Sequence, residues 1–240
     1  MIAIPTIKML YERTYPINDS INIVIPTVGE ILKDEDAYYN IVSAITAMPI
    51  DFMVQLDDAG IDFTEITAFD LFLLLSEELK MNDTSLVFGD LDFSKFQVGV
   101  NPQNEQLVLY DSENDIMIDR AIHSYIASVL RKINHLEKNI KKPANKEAKK
   151  YMIRRAREKL RRKKRLKEDS QLESLIIAMV NAEQFKYDFE GTKELSIYQF
   201  NESVRQIIKK VDYDNKMYGI YTGTISPKDL SQDELNWLIR

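Results

Sequence analysis

The 240-residue sequence contains no cysteine, which excludes disulfides, thiol nucleophiles and cysteine-ligated metal sites. It has only two histidines, His123 and His135. On one helix their spacing corresponds to a rise of about 18 Å, so we do not expect them to share a metal ion. No apolar run approaches the roughly 20 residues of a membrane-spanning helix. We therefore expect a soluble protein of the cytoplasm, without a membrane partner.

Glycine-based and catalytic motifs are also missing. The seven glycines never adopt the spacing of a phosphate-binding loop, and neither a GxSxG nor an HExxH pattern occurs. Hydrophobic residues nevertheless make up 45% of the chain and charged residues 29%, which is typical of a globular protein with one large or two small domains. We predict a protein that is not an enzyme and binds no cofactor.

One acidic motif suggests a cation site. Asp111, Glu113 and Asp115 resemble the start of a calcium-binding loop, in which alternate carboxylates bind one ion. The glycine and the bidentate acid that such a loop requires are replaced by Ile116 and Ile122. We therefore favour a solvated turn before a helix and predict no metal site.

The net charge of −6 conceals a division of the chain into three parts. Residues 1–119 contain five Lys or Arg and twenty-two Asp or Glu, a net charge of −17. Residues 120–167 contain nineteen basic and three acidic residues, a net charge of +16, and residues 168–240 carry −5. A dense basic segment can bind nucleic acid, an acidic protein, or the acidic part of its own chain.

The acidic part mixes helical and strand periodicity. The apolar pattern predicts a short strand at 21–25, a helix at 35–48, and a buried helix that Thr67 caps and that continues to Leu79. Alternating residues predict strands at 85–88, 95–100 and 106–110, with a turn at 101–104. We interpret residues 1–119 as an acidic α+β domain, a small antiparallel sheet packed on helices.

The rest of the chain is predicted to be mainly α-helical. An amphipathic helix is expected at 119–138 and a strongly basic helix at 144–167, so that 120–167 joins the acidic domain to a C-terminal helical domain at 168–240. Capping patterns at Ser170, Ser196 and Ser231 indicate further helix starts. One stripe of the helix that follows Ser196 contains the apolar residues Phe200, Val204, Ile207, Ile208 and Val211. A last short helix, which starts at Ser231, contains Trp237.

The function of the basic helix has three interpretations. It is a solvated element that compensates the acidic part of the chain, a surface for a protein partner, or a nucleic-acid site that binds phosphates. The density of Lys and Arg agrees with the last interpretation, but Tyr151 is its only aromatic residue for stacking on bases. Because the first two net charges nearly cancel, we also predict that the basic helix docks on the acidic part of its own chain or of a neighbouring copy.

The C-terminal segment 195–238 resembles the ending of tail assembly chaperone-like proteins of tailed bacteriophages and prophages, which are encoded near the tape-measure protein. The matching features are Tyr198-x-Phe200, the IYTGTI turn at 220–225, and LNWL at 235–238 after Lys228-Asp229-Leu230. These are packing motifs, and the N-terminal half matches less well. The long basic segment departs from what a minimal chaperone requires.

The resemblance implies a non-enzymatic tail morphogenesis factor, which binds and solubilises the tape-measure protein in the host cytoplasm. The alternatives are a structural tail or baseplate protein of the virion and a nucleic-acid-binding accessory protein. Self-association into a homo-oligomer also stays open. The candidate partner-binding residues are Lys149, Lys150, Arg154, Arg155, Arg157, Arg161, Arg162, Lys163, Lys164, Arg165, Tyr218, Tyr221 and Trp237.

Overall fold

The protein has the predicted α+β fold, in a computed structural model that describes residues 4–163 and 170–238. The helices up to residue 119 are α1 (Ile7–Tyr11), α2 (Val28–Ile31), α3 (Glu35–Thr46), α4 (Met53–Asp58), α5 (Ala68–Met81) and α6 (Ser85–Phe88). They are followed by α7 (Arg120–Ile133), α8 (Lys146–Lys163), α9 (Gln171–Val180), α10 (Phe189–Glu194) and α11 (Ile197–Tyr221). The strands are β1 (Thr14–Pro16), β2 (Asn22–Val24), β3 (Gln97–Val100), β4 (Leu107–Asp111) and β5 (Ile116–Ile118).

Two small antiparallel sheets belong to the acidic part of the chain. Strands β1 and β2 form a two-stranded sheet, and β3, β4 and β5 form a three-stranded sheet in sequence order. The turn between β3 and β4 is closed by a 2.8 Å hydrogen bond from the Asn101 amide to the Gln106 carbonyl. The structure thus confirms the predicted hairpin.

The principal hydrophobic core lies between the first sheet and helices α3, α5 and α7. It includes buried side chains from every third of the chain, among them Phe72 of α5, Val129 of α7, Ile176 of α9 and Phe200 of α11. The chain returns to the acidic part through Ile197, whose amide donates to the Pro26 carbonyl over 2.8 Å. The C-terminal helices therefore pack directly on the acidic part, and the three-part domain division stays a prediction.

The predicted strand at 85–88 is wrong, because this segment is the single-turn helix α6. The Asp83 carboxylate accepts a 2.9 Å hydrogen bond from the Ser85 amide at the start of the turn. The neighbouring residues Val87 and Phe88 are both buried. A strand would point these two side chains to opposite faces, whereas one helical turn can direct both into the core.

Helix α7 ends before the predicted residue 138. Asn134 follows its last residue, and the Asn134 side-chain amide donates to the Leu130 carbonyl over 3.1 Å. His135 adopts a left-handed conformation with φ of 52°, and the Leu136 amide donates back to the Arg131 carbonyl over 2.9 Å. This is the hydrogen-bond pattern of a Schellman C-cap. It turns the chain away from α7 towards the basic helix.

In the part of the chain that the structure describes, no helix is both long and apolar enough to cross a membrane.

Candidate functional site

The basic helix α8 packs against the acidic part of the chain through a narrow apolar side. The Asn145 carboxamide caps its start by accepting a 2.8 Å hydrogen bond from the Ala148 amide. Ile153 is buried in a second, smaller hydrophobic cluster, and Met152 packs against the same cluster. Its other buried members come from the acidic part: Ala47, Ile50, Leu56, Phe63 and Leu71. The apolar side of α8 is therefore covered by the protein's own core.

Ion pairs flank this apolar contact, as the near-cancellation of charge predicts. Lys149 pairs with Asp62, and its ammonium lies 5.9 Å from the centre of the Phe63 ring. One turn beyond Ile153, Arg157 Nη2 lies 3.0 Å from an Asp57 carboxylate oxygen and 2.5 Å from one of Asp58. Two of the candidate partner-binding residues, Lys149 and Arg157, thus bind the acidic part of their own chain.

The pKa of Asp62 is lowered to about 2. The largest cause is the hydrogen bond from the Lys149 ammonium, and the Thr64 hydroxyl and amide add further donors to the same carboxylate. These donors favour the charged form of Asp62. The carboxylate therefore stays ionised, and the pair persists, throughout the physiological pH range.

The opposite side of α8 carries cations that point to solvent. We define the outer basic face by its six exposed cationic residues: Lys150, Arg154, Arg155, Lys159, Arg161 and Arg162. Lys150 lies 3.6 Å from the exposed Glu147, and the Arg154 guanidinium lies 5.6 Å from the centre of the Tyr151 ring. The other four residues form no ion pair with any described residue. This face therefore keeps most of its charge available.

Three candidate partner-binding residues lie at or beyond the end of the described part of α8. Lys163 is the last described residue of α8, but its side chain lies outside the described part, as do Lys164 and Arg165 altogether. The predicted helix to residue 167 is described as far as residue 163.

A second exposed surface lies on the distal half of α11. Ser196 and Gln199 form a capping box at its start, as predicted, and the first turn buries Ile197 and Phe200 in the principal core. Further along, Ile208 is 62% exposed, Val211 is 40% exposed and Tyr218 is 71% exposed. The spacing i, i+3, i+10 places these three side chains on one side of a helix. We call Ile208, Val211 and Tyr218 the distal stripe.

The sequence, with Gly219 and Gly223, predicts a loop around Tyr218 and Tyr221. This prediction is wrong, because both tyrosines lie on α11. Helix α11 continues through Tyr221, where the side chain is 81% exposed, and Gly223 follows with φ of 75°. The Thr224 and Ile225 amides donate to the Gly219 carbonyl over 2.9 and 3.0 Å. The IYTGTI segment is therefore the last turn of a helix together with the reversal that follows it.

The chain folds back along α11 after this reversal. Lys209 lies 3.0 Å from Asp233, and Lys216 lies 3.0 Å from Glu234. The Gln206 side chain donates to the Trp237 carbonyl over 2.7 Å. Helical periodicity places residues 206, 209 and 216 on a different side of α11 from the distal stripe. The returning tail therefore leaves the stripe uncovered.

The predicted last helix is wrong for the residues that the structure describes. Ser231 and Glu234 do form the predicted reciprocal hydrogen bonds, of 3.0 and 3.3 Å between amide and side chain, but the chain after them makes only turns. The hydrogen bond from the Ser231 amide, followed by the pairing with Lys216 of α11, lowers the pKa of Glu234 to about 2. Trp237 is half-exposed at the end of this tail.

The two histidines have different surroundings. His123 is buried against Phe72, with the ring centres 4.4 Å apart, and its Nε2 donates to the Ile45 carbonyl over 3.0 Å. Burial lowers the pKa of His123 to about 4. His135 is partly exposed, and its Nε2 lies 3.3 Å from the Glu202 carboxylate. His135 also lies beyond the end of α7, so the two histidines do not share one helix, contrary to the prediction.

The carboxylates of the calcium-like motif have structural roles. Asp111 is buried and accepts hydrogen bonds from the Glu113 amide and from the Asn114 amide and side chain. Asp115 accepts one from the Tyr110 hydroxyl over 2.9 Å. These bonds hold the turn between β4 and β5. Among the described residues, no three acidic or histidine side chains form a group that could bind a metal ion.

The sequence pattern does not identify Ile208 and Val211 as surface residues, because it places them on the same helical stripe as Phe200. Lys209, Lys210 and Asp212 interrupt the apolar pattern at that point, and this change in composition was the available signal. The basic and aromatic candidate residues also belong to separate elements, since α8 packs on α4 whereas α11 packs on α1 and α7. The structure thus contains two candidate surfaces.

The structure is that of an α+β protein with a helical C-terminal third, and this third is similar to a phage-associated domain. Residues 162–239 match the family model described as the YomV second domain. The match covers about a third of the chain and includes α9, α10, α11 and the returning tail. This part of the protein is therefore similar to a domain of phage and prophage proteins. No curated protein and no solved structure matches the chain.

Proposed function

We propose that this protein is a non-catalytic morphogenesis factor of a phage tail, which binds the tape-measure protein and keeps it soluble in the host cytoplasm during assembly. The observation that supports the proposal most directly is the uncovered distal stripe within the segment that resembles a phage-associated domain. The resemblance of residues 195–238 to tail assembly chaperone-like proteins supports the tape-measure protein as the partner.

An apolar stripe on a protruding helix suits a helical partner. Amphipathic helices are recognised through apolar residues at helical spacing, and the distal stripe offers Ile208, Val211 and Tyr218 in this arrangement. A tape-measure chain is long, helical and apolar, so it would otherwise aggregate. Burial of the stripe against such a helix contributes about 25 cal/mol for each Å² of apolar surface removed from water.

The charge of the acidic part supports the proposal that the protein keeps the tape-measure protein soluble. The net charge of −17 on this part is only partly neutralised by the docked face of α8. Excess charge of one sign opposes self-association of a complex. A bound apolar chain would therefore be carried by a protein whose acidic part has a large excess of negative charge.

Co-expression with the tape-measure protein of the same phage tests the binding. We expect the tape-measure protein to co-purify and its soluble fraction to rise. The triple variant Ile208→Ser, Val211→Ser, Tyr218→Ser should lose most of both effects. A matched control is Val98→Thr, Val100→Thr, Leu107→Thr, which alters three exposed apolar residues of the sheet and should behave like the unmodified protein. If the triple serine variant keeps both effects, the distal stripe is not the binding surface.

The composition of mature particles distinguishes an assembly factor from a structural component. A chaperone leaves before the tail is complete, so mass spectrometry of purified virions should not detect this protein. Stoichiometric amounts in the particle would overturn the chaperone proposal and favour a structural tail or baseplate protein, the alternative that the additional basic helix suggests.

A further inference from the structure

The outer basic face of α8 has no role in the docking of the helix or in the proposed contact with an apolar chain. Its six cations extend from residue 150 to residue 162, a distance of about 18 Å along a helix. All six are exposed. The only acidic residues of α8 are Glu147 and Glu158, so the face has a clear excess of positive charge.

The docking of α8 restricts the kinds of partner that this face can bind. A protein groove that receives a helix gains most of its affinity from an apolar stripe. The apolar stripe of α8 is already buried against α4 and Phe63 through Ile153 and Met152. The solvent-exposed side of α8 therefore consists mainly of charged residues, and the only large apolar residues described there are Tyr151 and the partly exposed Leu160.

A polyanion of high charge density does not require such an anchor. When Lys and Arg neutralise phosphates, the release of condensed counterions supplies the binding free energy. Duplex DNA carries one charge for every 1.7 Å of its axis, so 18 Å of duplex offers about ten phosphates to the six cations. The charges of the two surfaces are therefore complementary in sign and comparable in number.

The shape of the face favours duplex DNA over other nucleic acids. Proteins that bind single strands stack bases on several aromatic side chains, whereas here only Tyr151 is present and Arg154 lies over its ring. The major groove of B-form DNA, about 12 Å wide, admits an α-helix. The corresponding groove of duplex RNA is too narrow.

We propose that the outer basic face is a sequence-independent binding surface for the phosphate backbone of duplex DNA. Arg154, Arg155, Arg161 and Arg162 contact the phosphates, together with Lys150 and Lys159. Lys149 and Arg157 stay paired with the acidic part and hold α8 in place. This proposal is independent of the binding of a tape-measure protein.

Fluorescence anisotropy with a labelled duplex of about 20 base pairs tests this surface. For the full chain we expect a dissociation constant in the micromolar range at about 50 mM salt, with affinity falling steeply as salt is added. The variant Arg154→Gln, Arg155→Gln, Arg161→Gln, Arg162→Gln should bind at least ten-fold more weakly, and its slope of log K against log salt should be smaller by up to about four. Glutamine is a good helix former, so circular dichroism should show unchanged helix content.

The matched control removes the same number of charges elsewhere. Lys8→Gln, Lys33→Gln, Lys186→Gln, Lys228→Gln changes four exposed lysines that form no ion pair with a described residue, and it should alter the affinity less than two-fold. Equal losses in both variants, or no binding of the unmodified chain at about 100 μM protein and about 50 mM salt, would overturn the proposal. Equal affinity for duplex RNA would overturn the assignment to DNA. Displacement of the DNA by polyglutamate at equal charge would identify an acidic protein as the partner instead.

Discussion

Arg157 of the basic helix donates to Asp57 of α4 over 3.0 Å, across one hundred positions of the sequence. Together with its contact to Asp58 and with the Lys149–Asp62 pair, it joins the most basic segment of the chain to the most acidic one. The ion pairs of Lys149 and of Arg157 lie on either side of Ile153, which anchors the contact in a small apolar cluster. The helix is thus held by both charge and burial, and the two contributions can be separated.

Added salt should loosen the docked helix. The Debye length is about 10 Å at 0.1 M salt and shrinks further as salt is added, and the arginine and aspartate side chains involved are partly exposed. We expect trypsin to cleave within residues 146–163 several-fold faster at roughly 500 mM than at roughly 20 mM salt. Cleavage at the exposed Lys186 corrects for the effect of salt on trypsin itself. Equal rates at both salt concentrations would mean that the ion pairs do not hold the helix.

The apolar contribution should respond to Ile153→Ala. Truncation of a buried isoleucine costs about 2 to 5 kcal/mol, and the low end is expected here because the cluster is small and close to the surface. Amide hydrogen exchange in α8 should accelerate more than ten-fold, with little change in the principal core. Leu160→Ala alters a more exposed leucine of the same helix and should leave exchange almost unchanged. If both variants exchange alike, burial of Ile153 does not anchor the helix.

His123 should make the protein less stable in acid. Burial lowers its pKa to about 4 in the folded protein, whereas the ordinary value is about 6.5. Between these pH values the unfolded chain binds a proton at His123 that the folded protein does not bind. The contribution of neutral His123 to the free energy of unfolding is therefore complete above pH 6.5 and is lost as the pH falls to 4. The difference corresponds to about 3 kcal/mol. Urea unfolding at a series of pH values measures it.

The variant His123→Gln isolates this effect, because glutamine can still donate to the Ile45 carbonyl but does not titrate. Between pH 6.5 and pH 4, the free energy of unfolding of the unmodified protein should decrease by about 3 kcal/mol more than that of the variant. His135→Gln is the control for the second histidine, whose pKa is also lowered, mainly by burial. Parallel pH curves for the His123 variant and the unmodified protein would exclude His123 as the titrating group.

Local periodicity predicted much of the secondary structure. Ile122, Ile126, Val129 and Ile133 recur at helical spacing, and α7 follows this pattern closely. The N-cap at Thr67 and the capping box at Ser196 also form as predicted, because each depends on residues only three positions apart. The pattern could not define α6, since four residues are too few to distinguish a helical turn from a strand.

The exposed surfaces were harder to predict because exposure depends on distant parts of the chain. Periodicity placed Ile208 on the same stripe as Phe200, yet Phe200 is buried and Ile208 is exposed. The difference arises because contact with the core ends at Ile207, about three turns into α11. The local sequence pattern does not show where the packing partner of a helix ends. Charge arithmetic predicted the docking of α8, but only the fold identifies Asp57, Asp58 and Asp62 as its partners.

Gly219→Ala should release the returning tail from α11. Gly219 is buried within the helix, and a Cβ atom at this position would lie 2.5 Å from Cδ1 and 2.8 Å from Cγ1 of Ile225. Ile225 must therefore move, at a cost of about 1 to 3 kcal/mol for overpacking. Alanine itself favours the helix by up to about 1 kcal/mol relative to glycine, so α11 should remain intact. The loss should be confined to residues 226–238.

Amide hydrogen exchange separates these two effects. We expect faster exchange in the tail around Glu234 and unchanged or slower exchange in the middle of α11. Gly99→Ala is the control, because a Cβ at that position meets no atom within 4 Å, and it should leave the tail protected. If the tail of the Gly219 variant stays protected, then Ile225 can move without cost and the tail is held by Lys209, Lys216 and their acidic partners rather than by close packing at the reversal.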